Sequence, residues 1–164
     1  MRIVPLASAL EGAGVVAYSQ GTATSQVIGR SLAASDSAYL FHVPISSTRT
    51  TVQHRGGAVV LFNTANDQSV TLLNPAIDLA AGTVTARIAG SGGKPVTVFT
   101  ITNAMALKPK TTTEDGVSKT TYQGARLALA PGVADVLASG LGLPTGSLPD
   151  GARFGTADVT VYAS

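Results

Sequence analysis

Thr83-Val84-Thr85-Ala86-Arg87-Ile88 and Val96-Thr97-Val98-Phe99-Thr100-Ile101, joined through Gly90-Ser91-Gly92-Gly93, decide the fold class. In the first stretch Val84, Ala86 and Ile88 fall on one side of an extended chain, with Thr83, Thr85 and Arg87 on the other. That period-two alternation is the mark of a strand with one buried face. The second stretch is rich in β-branched residues and carries Phe99, types that suit a pleated, half-buried surface. Glycines between the two supply the turn, so the pair predicts an antiparallel hairpin.

Outward from this hairpin the pattern repeats. Upstream, Gly56-Gly57 leads into Ala58-Val59-Val60-Leu61-Phe62, a short continuous apolar run expected of a buried strand. Asn63 to Asp67 predicts a turn, and Ser69 to Asp78 alternates through Val70 and Leu72 to complete a second hairpin. Pro75 has no N–H for a ladder, so it predicts an edge, a bulge or a strand end. Ala38-Tyr39-Leu40-Phe41-His42-Val43, closed by Pro44, marks where ordered sheet begins. Before it, residues 5–11 predict a short helix, and Gln20 to Ser37 predicts loop or edge structure.

Downstream, Lys108 to Gly124 holds two Thr-rich arms around Glu114-Asp115-Gly116. Asp-Gly suits the positive φ angles of a type I′ turn, which predicts a long, exposed, polar hairpin. Ala125 to Ala130 predicts a further strand. Pro131 predicts the start of the one convincing helix, because proline is favoured at the first helical position. Val133, Val136, Leu137 and Leu141 share its apolar face, and Gly140, Gly142 and Pro144 end it. In Thr156 to Tyr162, Ala157, Val159 and Val161 face one way.

The expected fold is therefore mostly β: an antiparallel β-sandwich or flattened barrel of about seven to nine strands with one short helix near 131–140. A chain of 164 residues is long enough for one domain with a real core. It divides into an N-terminal segment, 1–37, and a β-rich body, 38–164.

Composition narrows the setting. Charged residues are 12% of the chain, about half the usual share, so Thr, Ser, Asn, Gln and backbone must cover the surface. That balance reads as extracytoplasmic. The net charge is only +2, the basic residues are scattered and there is no Trp, which is not the footprint of a nucleic-acid binder. With no cysteine, disulfides, thiolate metal sites and thiol nucleophiles are excluded. Arg2 to Ala9 imitates a signal peptide, but Pro5 interrupts its short apolar core. The expectation is a mature start from which an export signal has been removed. No run approaches the ~20 apolar residues of a transmembrane helix.

Candidate chemistry is sparse. His42 and His54 are the only histidines, and neither has the companion ligands zinc requires. No Gly-x-Ser-x-Gly is present, and Glu114-Asp115 reads as turn chemistry rather than a carboxylate pair. Gly56-Gly57 and the 90–93 glycines lead into strands, so neither is a phosphate loop. No enzyme activity and no metal site is expected. Tyr18, Tyr39, Tyr122 and Tyr162 can offer a phenolate oxygen to ferric haem. Met105, within Ala104-Met105-Ala106-Leu107, reads as core packing.

Three stretches together resemble a known family: His54-Arg55-Gly56-Gly57 with Val59-Val60-Leu61-Phe62; Val70 to Leu79 with Gly82-Thr83-Val84-Thr85-Ala86; and Val133 to Leu137 with the ending Phe154-Gly155-Thr156-Ala157-Asp158-Val159. This order is similar to the HtaA-like domains of actinobacterial secreted and cell-surface proteins, over roughly residues 39–162. The resemblance implies an extracytoplasmic, β-rich domain with a short helix, and several members bind haem in surface uptake systems. Haem-binding members carry a Ser-Phe-x-x-Tyr motif; here the neighbourhood reads Ser37-Ala38-Tyr39-Leu40-Phe41-His42, a different pattern. The leading expectation is a non-enzymatic structural or interaction module whose partner is a protein or a surface ligand. The alternatives are a haem- or porphyrin-binding domain, with Tyr39 and His42 as the first cofactor-binding candidates, and, by analogy of fold, a viral or filament subunit.

Overall fold

Alternation and turn chemistry become ladders in the expected places. A computed structural model describes residues 2–4, 10, 12–21, 24–28, 38–42, 45–47, 51–54 and 56–163, and their side chains at 10, 12–21 and 56–161. The strands, in chain order, are β1 (Arg2–Val4), β2 (Val15–Gly21), β3 (Thr24–Ile28), β4 (Ala38–His42), β5 (Ile45–Ser47), β6 (Thr51–His54) and β7 (Gly57–Asn63). They continue as β8 (Gln68–Asp78), β9 (Thr83–Ile88), β10 (Val96–Ile101), β11 (Lys110–Glu114), β12 (Val117–Leu129) and β13 (Arg153–Ala163). One short helix, Ala134–Gly140, lies between the last two. The fold is mostly β: eight antiparallel strands, β2 and β7 to β13, form a curled half-barrel sheet.

The ladder runs β2-β7-β8-β9-β10-β12-β13-β1-β4-β3. Laid flat, a path of this many strands would separate its edges by roughly 43 Å at the usual spacing. Yet its two end strands are consecutive in the chain, and Gly21 to Thr24 can span only about 11 Å. The sheet has to curl.

Its concave side holds the core. Alternate residues Val84, Ala86 and Ile88 of β9 are buried, as are Val59 and Leu61 of β7, Leu127 and Leu129 of β12, and Ala157 and Val159 of β13. Phe99 and Phe154 meet with ring centroids 4.3 Å apart. In β10 the register shifts between Thr97 and Phe99, and this bulge lets both Val98 and Phe99 turn inward. Pro75 sits in a second shift, between Leu73 and Ala76 of β8, where Asn74 adopts a φ of 47° and accepts a hydrogen bond from the Gly56 N–H. A third shift, between Tyr122 and Ala125, lets β12 continue across Gly124 as one strand. There the Gly124 N–H donates to Asp158 Oδ1 and Asn103 Nδ2 donates to the Gly124 carbonyl.

A helix of seven residues is too short to persist alone, so its stability comes from packing. Leu137 and Leu141 are fully buried under the sheet, each contributing about 1.5–3 kcal/mol. At its C-terminus Gly142, with φ 63°, donates to the Ser139 carbonyl and Leu143 donates to that of Ala138, a Schellman arrangement. Asn63, the one buried polar residue among those described, donates from Nδ2 to the Leu141 carbonyl at 2.9 Å; Asn66 donates to the same oxygen at 3.0 Å. The β7–β8 turn therefore clamps the helix end.

Several local expectations are corrected. Pro131 does not open the helix. With Gly132 at φ 76° and the Val133 N–H donating to the Ala130 carbonyl, Ala130 to Val133 is a type II turn, with proline at its second position. Val136 leaves the apolar stripe because the buried set is Val133, Ala134, Leu137, Ala138 and Leu141. Met105 is fully exposed on a 3-10 turn, Ala104–Ala106, whose Ala104 packs against the core in its place. Within Gln20 to Ser37, where sequence indicated loop or edge structure, the described residues agree: β3 is an end strand of the ladder, paired with β4 alone. The helix expected over 5–11 falls mostly outside the described residues, which there include only Leu10.

Candidate functional site

The turn Ala130–Val133, the helix after it and the β9–β10 hairpin stand side by side, and a groove of about 790 Å³ opens between them. Ile88, Val96, Thr97 and Thr100 line the sheet side; Pro131, Val133 and Val136 line the other; Ser91, Gly92 and Lys94 come from the loop. Each wall has a structural reason to be where it is. The Gly132 N–H donates to both carboxylate oxygens of Asp150 at 3.0 Å, fixing the turn, and Val133 is anchored in the core. Val96 is 41% exposed and Val136 45%, so two branched apolar side chains face the opening from opposite walls.

A second groove of about 540 Å³ shares Ile88, Ser91 and Val136 with the first and continues past Asp135, Ser139 and Gly140. The two make one depression along the solvent side of the helix. Its chemistry is apolar contact, with the Lys94 ammonium group lining the larger part and the Asp135 carboxylate the smaller. No His, Asp or Glu lines the larger groove, and the Ser91 hydroxyl is engaged as a donor to the Ile88 carbonyl at 2.7 Å. Separately, Arg126 and Arg153 share a smaller groove of about 430 Å³ with Thr102.

The candidates read from sequence are dispersed. Tyr39 lies in β4 opposite Ile3 and Val27, and His42 in the same strand opposite Thr24; their side chains fall outside those described. Tyr18 is opposite Val60 in β2, and Tyr122 packs half-buried against the core opposite Val159. His54 pairs with Ile45. Glu114 and Asp115 stand at the hairpin tip, where Asp115 has φ 49°. Among the described residues no three His, Asp or Glu side chains gather in one place. Sequence reasoning passed over the groove because Val96 and Val136 read as ordinary members of apolar faces. The available signal was the Pro131-Gly132 dipeptide, which favours a type II turn over a helix start. Comparison with known proteins adds no relative: no family model, no curated protein and no solved structure matches this chain.

Proposed function

We propose that this chain is a non-enzymatic, extracytoplasmic interaction domain that receives an apolar, anionic-edged group of its partner in the groove beside the helix. The observation that carries the reading is the pairing of exposed Val96 and Val136 across a groove built on rigid elements. Pockets of ~300–1,000 Å³ with apolar walls and few polar groups are the common form of ligand site. Of the four large apolar side chains exposed among the described residues, Val96 and Val136 are the two that share one groove. The HtaA-like order of motifs and the low charge support the extracytoplasmic setting.

The probe is 8-anilinonaphthalene-1-sulfonate, which joins apolar rings to one anion. NMR titration of the full chain is expected to move the amides of Val96, Val136 and Lys94 together and saturably, with Val136→Asp abolishing the response. Shifts spread over the whole chain, or a V136D response equal to wild type, would sink the groove reading. Turnover in an ester and glycoside screen would replace it with an enzyme, and a Soret shift at micromolar haem with a haem protein. Recovery of the native protein from the cytosolic fraction would remove the setting.

A further inference from the structure

Strand β11 is an open edge. It pairs with β12 on one side, by the register Lys110↔Thr121 through Glu114↔Val117, and with no strand on the other among the described residues. All five of its residues, Lys110-Thr111-Thr112-Thr113-Glu114, are exposed. Threonine has high β-propensity, so the strand is a ready template for another strand. Charges on an edge ordinarily keep a second strand away. Here they stand one at each end, with opposite signs.

The turn fixes which backbone groups face outward. Asp115 and Gly116, at φ 49° and 78°, form a two-residue type I′ turn closed by Glu114 and Val117. A closing pair is hydrogen-bonded, and antiparallel pairs alternate between bonded and non-bonded. Lys110, Thr112 and Glu114 therefore direct N–H and C=O towards β12, while Thr111 and Thr113 direct theirs away. The Thr111 and Thr113 hydroxyls are already engaged with Thr120 and Ser118, at 3.0 and 3.3 Å, which steadies the arm.

We infer that β11 pairs with β11 of a second copy of this chain, antiparallel and centred on Thr112. In that register Thr111 faces Thr113 of the other copy, so the outward N–H and C=O groups satisfy one another. Lys110 faces Glu114 at both ends, in the non-bonded positions where side chains come closest. Shifting the register towards the N-terminus sets Thr113 against Pro109, which has no N–H; shifting it the other way sets Lys110 against Gly116. The pairing is two-fold and closes at a dimer rather than growing into a filament. One short edge buries less than a stable interface needs, so the dimer is weak and reversible. The pairing uses no residue of the groove beside the helix.

The test is sedimentation equilibrium of the full chain at concentrations up to about 1 mM. A monomer–dimer equilibrium is expected, weakening as salt screens the paired charges. Lys110→Glu sets like charges opposite each other and is expected to raise Kd about tenfold or more; the double swap Lys110→Glu with Glu114→Lys restores it. Thr113→Pro removes an outward donor while sparing the β12 ladder, and is expected to abolish dimerisation. NMR amide shifts of β12 report whether the arm stays folded, and if T113P unfolds it the charge swap alone decides. A monomer throughout, oligomers beyond the dimer, or a dimer indifferent to K110E and to its compensating swap would overturn the inference.

Discussion

The body of the sheet and the β11–β12 arm share the same antiparallel form and are held by different forces. Strand β7 is buried almost throughout, while every residue of β11 is exposed, yet both are regular antiparallel strands. In the body the chain is fixed by apolar area removed from water, through the contact of Leu137, Leu141 and the strand residues beneath them. In the arm nothing comparable is buried. Its order rests on the ladder, on a turn whose residues accept positive φ, and on the hydroxyl pairs Thr111–Thr120 and Thr113–Ser118. A strand can thus extend past its core on local chemistry alone, at the cost of leaving an edge open.

The sharpest way to break this contrast is to empty the body. Leu137→Ala should cost about 2–5 kcal/mol in chemical denaturation, since the helix has no stability of its own to fall back on. Asn63→Ala comes next: with Asn66 still donating to the Leu141 carbonyl, a loss of about 1–3 kcal/mol is expected, seen as a lowered thermal midpoint. In the arm, Gly116→Ala forces a side chain to a φ of 78° and should cost about 1–2 kcal/mol of local order, which hydrogen exchange would report in β11 and neighbouring β12 amides. Smallest of all, Thr111→Val removes a hydroxyl pair at the surface and should change global stability by no more than about 0.5 kcal/mol. A Thr111→Val effect as large as that of Leu137→Ala would dissolve the distinction between the two regions.

Much of this was legible in sequence because it was encoded locally. The alternation of Thr83 to Ile88, the Asp115-Gly116 turn and the disruption at Pro75 each follow from one residue type at one position. The misread places are those where a distant segment decided the outcome. Pro131 reads as a helix start, but Asp150, from the loop before β13, holds the Gly132 N–H and makes the stretch a turn. Val136 has the spacing of a core residue, yet the helix is rotated to bury Ala134, Leu137 and Ala138, leaving Val136 in the groove. Met105 reads as a core residue, but the turn it rides on packs its small neighbour Ala104 against the core and leaves Met105 outside. Among the candidate ligands, Tyr39 and His42 follow from residue type and from their place in the family resemblance, and neither says what the fold brings beside them.

By itself the sequence determined an antiparallel, mostly β chain with one short helix, because hydrophobic period and turn propensity are properties of neighbouring residues. The curl of the sheet, the clamp of Asn63 and Asn66 on Leu141 and the groove between Val96 and Val136 were decided by tertiary structure. They arise from contacts between segments far apart in the chain, whose geometry follows from how the layers pack and not from any local preference.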